Sequence, residues 1–462
     1  MARALRAARA SVRLAMRTHL VSALALAMVV ASPALADDVP KVPFEKYTLP
    51  NGLEVILVVD RSVPLVAVDT WYHVGGGDED PGRSGFAHLF EHMMFQGTKH
   101  TGEDVHFKIL ELIGASVIQG TTDNERTNYY QVVPAHQLET VLWLESDRMG
   151  YLLESATQKS LDNQRDVVKN ERRQRVENIP YGLERQALVQ ALYPEGHPYR
   201  YDVIGKHEDL TAASLDDVKA FFKKWYVPSN ATLCIVGDFD PAEVKKLVEK
   251  WYGSFPKLPK PQRKVSLAPR FTQPKQLTVE DPFARLRRYR VAWHSPKLYA
   301  AGDADLDVIS FVLTNPGTGR LYKRLVLESQ LATTVRSAQD SQMQSSTFSI
   351  SVDLKPDADL AAAKKIVEEE LDRVRKEPVS DGEIRRARTN IESGYIWGLE
   401  SQIGRAERLQ AYNQNLGKPD GFAEDLGRYA NVTPATMQKV AEKYLAPTAR
   451  VEVVTMPKGG AK

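Results

Sequence analysis

The sequence predicts an α+β fold made of two related domains, and three features of the chain support this prediction. Its 462 residues exceed what one ordinary core accommodates, and 43% hydrophobic with 26% charged residues is the composition of a globular protein. Beyond residue 36, strand-like and helical patterns alternate. Residues 214–233 and 433–452 each contain a helical pattern, an aromatic residue, a proline and a strand. This similarity indicates an internal repeat, with chance recurrence of a common helix–strand pattern as the alternative.

The elements of the first half follow from periodicity and composition. Segments rich in β-branched and aromatic residues predict half-buried strands. Glycines at 75–77 and the pair Pro81-Gly82 predict a loop. The strands are expected over 53–59, 65–74 and 126–133, and the helices over 85–95, 135–149 and 156–177.

A change of composition marks the middle of the chain. Five prolines lie among lysines and arginines between Phe255 and Lys275, which predicts a solvated, semi-extended linker. We therefore expect a linker over 256–278, between an N-terminal domain of residues 37–255 and a C-terminal domain of residues 279–462.

The first 36 residues have the pattern of a secretory signal peptide. Five arginines and no acid precede the apolar stretch 20–30, and a small-residue site at 34–36 comes next. The apolar stretch is short for a membrane span, so we expect cleavage after Ala36 and a periplasmic or secreted protein. A mitochondrial transit peptide is the alternative, which the uninterrupted apolar run disfavours. Met16 is a second candidate for the start of translation, beside Met1.

Charge and cysteine content bear on two further questions. A formal net charge of +2 gives no support to nucleic-acid binding. The single cysteine, Cys234, cannot form an internal disulfide, and its apolar neighbours predict a buried strand residue.

The segment His88-Leu-Phe-Glu-His92 carries the strongest chemical pattern in the chain. Residues four apart share one face of a helix, so both imidazoles can reach one ion. Neutral imidazole nitrogens suit zinc, and Glu91 can reach a water molecule at the ion and act as its general base. Two histidines and a glutamate in an otherwise apolar, buried helix need polar partners, which a metal supplies.

Glu171 is the candidate for the third zinc ligand. It follows Val167 and Val168 by four and three residues in the helix predicted over 156–177, which favours the apolar face. From spacing alone, a surface ion pair at Glu171 is an equal alternative.

The motif His88-x-x-Glu91-His92 resembles the inverted zincin motif of the pitrilysin and insulinase metallopeptidases. Residues 47–56 and 85–98 are similar to the opening strands and the active-site helix of that family. The resemblance implies a zinc endopeptidase with one Zn²⁺ per chain. It also implies two homologous α/β-sandwich domains, each with a mixed, mainly antiparallel sheet and helices on one side.

The resemblance assigns further residues to the zinc site. In the family a glutamate roughly eighty residues after the motif completes the site, and Glu171 lies 79 residues past His92 (171 − 92). The family often has a second glutamate seven residues earlier, where this chain has Gln164. Gln164 is therefore the candidate for an outer partner of the zinc ligands.

One segment is similar to the substrate-binding edge strand of the family, where an extended peptide would add to the sheet through main-chain hydrogen bonds. The family usually has asparagine at its first position, where this chain has glutamine. Its candidate substrate-binding residues are Gln119, Gly120, Thr121 and Thr122.

The second half departs from the family pattern. Members that bind substrate through this half carry an arginine and, seven residues later, a tyrosine, whereas this chain has Val326 and Thr333 at the similar positions. The chain resembles the catalytic subunit of heterodimeric bacterial members and of mitochondrial processing peptidase. The resemblance then implies a sister subunit without zinc that supplies the arginine and tyrosine, with Arg320, Tyr322 and Arg324 as nearby substitutes.

Three other functions stay open at this stage. One is a non-catalytic core-type structural subunit, although such relatives usually have lost the motif that is present here. Another is a mitochondrial processing peptidase, which shares the chemistry and differs in compartment. The third is a peptide-binding or chaperone-like protein that uses the same cavity without turnover.

Overall fold

The computed structural model describes residues 40–266 and 271–459. The predicted signal peptide and both candidate start methionines lie outside these residues. The described chain consists of two mixed β-sheets and many helices, so the α+β prediction is confirmed. In these two ranges, no helix combines the length and the apolar character that a membrane crossing requires.

The first sheet has six strands, both parallel and antiparallel. It lies in the order β1-β2-β6-β3-β5-β4 once its strands are numbered along the chain. The pair β2–β6 is parallel and the other pairs are antiparallel. The strands are β1 (Glu45–Thr48), β2 (Glu54–Val59), β3 (Leu65–Tyr72), β4 (Val117–Thr122), β5 (Thr127–Pro134) and β6 (Ala231–Gly237).

The second sheet repeats the pattern of the first. Its order is β7-β11-β8-β10-β9, with β7–β11 parallel and the other pairs antiparallel. Strand for strand, this is the order and the pairing sense of β2-β6-β3-β5-β4. The strands are β7 (Lys275–Asp281), β8 (Arg288–Ser295), β9 (Ala332–Asp340), β10 (Ser346–Leu354) and β11 (Arg450–Pro457).

Helices follow the strands in both halves. In the first half they are α1 (Phe86–Met93), α2 (Val105–Leu112), α3 (Leu138–Tyr151), α4 (Gln158–Arg172), α5 (Gly182–Leu192), α6 (His207–Ala212), α7 (Leu215–Trp225) and α8 (Pro241–Tyr252). In the second half they are α9 (Asp303–Thr314), α10 (Leu360–Lys376), α11 (Asp381–Gly398), α12 (Gln402–Leu416), α13 (Phe422–Ala430) and α14 (Pro434–Tyr444).

The two helices that bear the candidate site lie close to their predicted positions. The helix expected over 85–95 is α1, which begins after Gly85, a residue with φ +88° in the left-handed region. The helix expected over 156–177 is α4, capped by the Thr157 side chain and continued by a π-helical turn over Arg173–Glu177. Glycine tolerates positive φ without steric cost, which suits a sharp entry into α1.

One helix of each half packs on the sheet of the other half. Helix α12 packs on β3 and β6 of the first sheet, and α5 packs on β7, β8 and β11 of the second. Gln410 of α12 donates from Nε2 to the carbonyl oxygens of Asp69 (3.0 Å) and Thr232 (2.9 Å). Glu184 of α5 accepts from Thr455 of β11 at 2.7 Å. The helices of each half cover one face of its own sheet, and the exchanged helix contacts the other face.

The apolar residues of both sheets form separate cores. One core lies among β2, β3, β6 and the helices α1, α3 and α4, and the other lies among β8, β10 and the helices α9 and α10. Cys234 is fully buried on β6, which confirms the prediction of a buried strand residue.

The linker region is exposed for the most part but makes specific contacts with both halves. The side chain of Arg263 lies 3.3 Å from the Asp78 carboxylate, and the backbone N–H of Ser266 donates to Gln344 at 2.9 Å. Strand β7 begins at Lys275, inside the segment expected to be linker. The boundaries at 255 and 279 stay a prediction.

His73, directly after β3, joins the first sheet to α12. Its Nδ1 lies 2.6 Å from Gln414 Oε1 and its Nε2 lies 2.9 Å from Thr232 Oγ1. Burial lowers the pKa of His73 to about 4, against a smaller opposing effect of the Gln414 hydrogen bond. An unfolded histidine has a pKa of about 6.5. Between these two values the unfolded chain binds a proton that folded His73 does not, so acidification destabilises the fold.

We predict that His73→Gln removes part of this acid sensitivity. Between pH 7.5 and 5, its free energy of unfolding should fall by about 2 kcal/mol less than that of the wild type. Urea-induced unfolding at each pH measures the difference, with His136→Gln at an exposed position as the control. An equal fall in the free energy of unfolding of the wild type and of His73→Gln would show that His73 is not a source of the acid sensitivity.

Candidate active site

The helix α1 presents both histidines of the motif on one face. It packs against α4, α7, β4 and β5, so seven of its eight residues are buried. The ring centroids of His88 and His92 lie 4.7 Å apart, at an interplanar angle of 82°. The spacing of four residues thus brings the two imidazoles together as the sequence predicted.

Glu171 reaches the same point from α4. Its Oε2 lies 3.5 Å from His88 Nε2 and 3.3 Å from His92 Nε2. Glu171 continues the inward face of α4, whose buried residues include Leu161, Gln164 and Val168. Val167, expected on that face, is instead 40% exposed, because at 100° per residue it lies about 40° beyond Glu171, on the side away from Leu161 and Val168.

The separation of these donor atoms fits a zinc site. Four ligands at about 2.05 Å around a tetrahedral ion lie roughly 3.3 Å from one another, and Glu171 Oε2 lies 3.3 and 3.5 Å from the two imidazole nitrogens. Two imidazoles and one carboxylate are also the donor set of catalytic zinc sites that leave a fourth position open. The residues present therefore fit a zinc ion.

Burial and neighbouring charges shift the pKa values of His88, His92 and Glu171 in different directions. Burial, helped by the neighbouring His92, lowers the pKa of His88 to about 4, so this ring is neutral at neutral pH. For His92, burial alone would lower the pKa, but the Glu171 hydrogen bond and the charges of Glu91 and Glu171 outweigh it and raise the pKa. The hydrogen bond to His92 lowers the pKa of Glu171, which therefore stays ionised.

Glu91 lies beside the three donors but makes a different contact. Its carboxylate Oε2 accepts a hydrogen bond from Thr122 Oγ1 at 2.6 Å, and burial raises its pKa. A donor atom of Glu91 lies within 4.8 Å of one on each of His88 and His92, so proximity alone would also allow it as a ligand. The contact of Glu171 Oε2 with both imidazoles favours Glu171 as the ligand and leaves Glu91 for proton transfer.

The edge strand β4 passes close to Glu91. A Cβ atom at Gly120 would lie 3.1 Å from Glu91 Cγ and 3.2 Å from its Oε1, so only glycine lets the strand approach this far without displacing the carboxylate. The side chain of Thr122 points to the same face, whereas the Thr121 hydroxyl donates to Asn128. Gln119 is exposed at the cavity.

The register of β4 shows which main-chain groups face the open edge. At the hairpin turn the Asp123 N–H donates to Arg126 O, and antiparallel pairs alternate between hydrogen-bonded and non-hydrogen-bonded positions. Counting back along the register, the N–H and C=O groups of Ile118, Gly120 and Thr122 point away from β5. These groups are available to a further strand.

A cavity of about 490 Å³ encloses the site. The candidate ligands, Glu91 and the four predicted strand residues all line it. Phe95, Phe107 and Ile118 give it an apolar wall, on which the Phe95 and Phe107 rings stack 4.7 Å apart. Gln164 lies at its inner side, with Oε1 3.3 Å from His92 Nδ1. The structure thus gathers every residue that the sequence assigned to the site.

In the second half, the positions similar to the arginine and tyrosine of the family are occupied by Val326 and Thr333. Val326 packs on the second core, and the Thr333 hydroxyl donates to the Asp353 carbonyl. Arg320 forms two hydrogen bonds with Glu383, at 2.7 and 2.9 Å. Arg324 is likewise paired with acidic residues of α10, so both arginines named as substitutes are already engaged.

Glu79 is a residue of the site that the sequence did not reveal. Its carboxylate accepts hydrogen bonds from the backbone N–H groups of Gly85 (3.0 Å) and Ala87 (2.8 Å), at the first turn of α1. Gly85 has no side chain to cap the helix, so Glu79 takes that role from the preceding loop. An acid six residues before a glycine is not a recognised capping pattern, and only tertiary structure identifies it.

Two family models match the chain. One is described as Insulinase (Peptidase family M16) and matches residues 54–197, and the other is described as Peptidase M16 inactive domain and matches residues 212–391. The zinc protease PqqE of Helicobacter pylori is 27% identical over 421 residues, which are 89% of this chain and 93% of that protein.

Two further comparisons agree with these matches. A protein of Arabidopsis thaliana named probable mitochondrial-processing peptidase subunit beta is 23% identical over 415 residues, which are 86% of this chain and 75% of that protein. The crystal structure of a protease from Helicobacter pylori superposes with a TM-score of 0.83 at 25% identity, covering 90% of this chain and 100% of that one.

We predict that Glu79→Ala weakens zinc binding about tenfold, because partners that orient metal ligands usually contribute 10–100-fold to affinity. The variant loses both acceptors that fix the start of α1, so His88 and His92 are held less firmly. Titration of the zinc-free protein against a competing chelator measures the affinity. Asp80→Ala, at an exposed neighbouring position, is the control and should bind zinc as the wild type does. Unchanged affinity in Glu79→Ala would show that α1 holds its geometry without this cap.

Proposed function

The chain belongs to the insulinase (M16) peptidase family, and from the geometry of its cavity we propose that it is a zinc-dependent endopeptidase acting on peptides or unfolded polypeptides. The observation that carries this proposal is the convergence of His88 Nε2, His92 Nε2 and Glu171 Oε2, with Glu91 beside them. Zinc, when bound, supplies Lewis-acid chemistry that polarises a carbonyl group and makes water more acidic.

Glu91 would act as the general base and then as the general acid. Its carboxylate takes a proton from the attacking water, whose oxygen bonds to the peptide carbonyl carbon. The same carboxyl group then gives the proton to the leaving amine as the C–N bond breaks. Burial raises the pKa of Glu91, which suits a group that must accept and release a proton near neutral pH. Thr122 fixes its orientation by donating to Oε2.

The edge strand would position the substrate. An extended peptide paired with Ile118, Gly120 and Thr122 would run along the strand that passes Glu91, since the main-chain groups of these residues face the open edge. The absence of a side chain at Gly120 leaves room for the scissile bond next to the carboxylate. Phe95 and Phe107 offer an apolar surface to a neighbouring side chain.

We predict that Glu91→Gln separates metal binding from catalysis. Loss of a general base lowers the rate by roughly 10²–10⁴-fold, while the zinc content should stay near one ion per chain because the ligands are untouched. Peptide hydrolysis and metal analysis on the same preparation measure the two quantities. His92→Ala is the companion variant and should lose both zinc and activity. Full hydrolysis by Glu91→Gln would rule out this role, and loss of its zinc would indicate that Glu91 is itself a ligand.

A sister subunit is the second part of the proposal. Val326 and Thr333 replace the arginine and tyrosine that family members use in this half, and Arg320 and Arg324 are held by acidic residues. The inactive-domain model matches residues 212–391, a range that includes both positions. We therefore propose that this chain is the zinc-bearing subunit of a heterodimer.

We predict that the chain purified alone binds one zinc ion but cleaves peptides poorly. Addition of a zinc-free sister chain, isolated by co-purification from the native source, should restore turnover because it supplies the missing arginine and tyrosine. Cleavage of one fluorogenic peptide by each chain and by the mixture makes the comparison. A homogeneous preparation with full activity would contradict the heterodimer.

Two further properties complete the proposal. The pattern over 1–36 favours export to the periplasm or beyond, and a mature N-terminus at Asp37 would support it. The non-catalytic alternative, a structural or peptide-binding subunit, predicts peptide capture that survives removal of zinc.

A further inference from the structure

The cavity carries a cation that the catalytic proposal does not use. Arg175 is the one lysine or arginine among the residues lining the cavity in the described part of the chain. Its side chain is 76% exposed. The other charged side chains there are Glu91 and Glu171.

A local irregularity brings Arg175 to this position. It lies in the π-helical turn over Arg173–Glu177 that continues α4, four residues after Glu171. One guanidinium nitrogen, Nη1, lies 2.7 Å from Glu171 Oε1, while Oε2 of the same carboxylate faces the two imidazoles. Arg175 is thus held at the rim of the cavity through one oxygen of Glu171.

The guanidinium keeps capacity for a second carboxylate. It has five N–H donors, and within the described residues its recorded ion pair is the one with Glu171. An ion pair made by so exposed a guanidinium is weak, so exchanging or sharing it costs little. A zinc ion bound to Glu171 would also neutralise part of the negative charge of that carboxylate and so weaken its attraction to Arg175.

We infer that Arg175 selects substrates that carry a carboxylate near the scissile bond, an inference that rests on the proposed peptidase function. Arginine binds carboxylates through two parallel hydrogen bonds, which makes it selective for Asp and Glu side chains over neutral ones. The apolar wall of Phe95 and Phe107 and the cation at Arg175 then describe one substrate class: peptides with an apolar and an acidic side chain close to the cleaved bond.

The test uses three peptides that differ at one position near the cleaved bond, which holds Glu, Gln or Lys. The zinc-loaded protein, with its sister subunit where turnover requires it, should give a kcat/KM about tenfold higher for the Glu peptide than for the Lys peptide. Placing the variable residue in turn at each of the positions flanking the bond identifies the one that Arg175 serves.

Substitutions at Arg175 should change this preference in a defined order. Arg175→Gln should bring the three peptides to similar kcat/KM values, and Arg175→Glu should reverse the order. Arg173→Gln is the matched control, because Arg173 lies in the same turn, is exposed, and does not line the cavity. It should keep the wild-type preference. If Arg175→Gln slows all three peptides by the same factor, or lowers the zinc content, Arg175 acts on Glu171 and the selectivity is wrong.

A binding measurement separates this inference from the peptidase proposal. Fluorescence anisotropy of the same labelled peptides with zinc-loaded Glu91→Gln, with and without Arg175→Gln, reports the charge preference without turnover. A charge preference that disappears with Arg175→Gln supports the inference. If the wild type hydrolyses none of the peptides, that result contradicts only the peptidase function. Equal binding of all three peptides to Glu91→Gln would overturn the inference.

Discussion

The contact between Glu171 Oε2 and the two imidazole nitrogens of α1 is the constraint on which the site depends. Unpaired, these buried polar groups would destabilise the fold, so α1 and α4 are tied to a narrow range of separations. The residues around them meet that requirement: Leu161 and Val168 pack inward on α4, and α1 is apolar on almost every side. Packing sets the distance between the helices, and Glu171 Oε2 lies as far from the two imidazole nitrogens as ligands of a tetrahedral ion lie from one another.

The same helix must also lie close to a strand. Thr122 donates to Glu91, and the missing side chain at Gly120 permits the approach. One short segment of β4 therefore has two tasks, since its side chains orient the carboxylate while its main chain leaves an open edge. This coupling explains why the candidate base and the candidate peptide site share residues: a shift of one residue in the register of β4 would turn Thr122 to the other face.

Much of this arrangement could be predicted from the sequence because its determinants are local. Apolar composition located α1, apolar periodicity located α4, and a spacing of four placed His88 and His92 on one face. Glu171 is different, since spacing alone left a surface ion pair equally plausible and the resemblance to a family decided the assignment. Glu79 and Arg175 were not found, because a cap from the preceding loop and a π-helical turn leave no periodic pattern. The exchange of α5 and α12 was also unforeseen, as it depends on the packing of two whole sheets.

That exchange bears on how two similar halves can have different roles. Each sheet is covered on both faces. Helix α12 of the second half covers the first sheet, and α5 of the first half covers the second sheet. Removing either half would therefore expose apolar surface of the other. The fold of the first half therefore depends on a helix of the second half, whatever the chemistry of the second half. Within the second half, Val326 packs on the core and Thr333 bonds to the neighbouring strand, so both side chains contribute to its fold. The contacts of α5 and α12 thus make each half depend on the other for a buried sheet face, whichever half carries the candidate site.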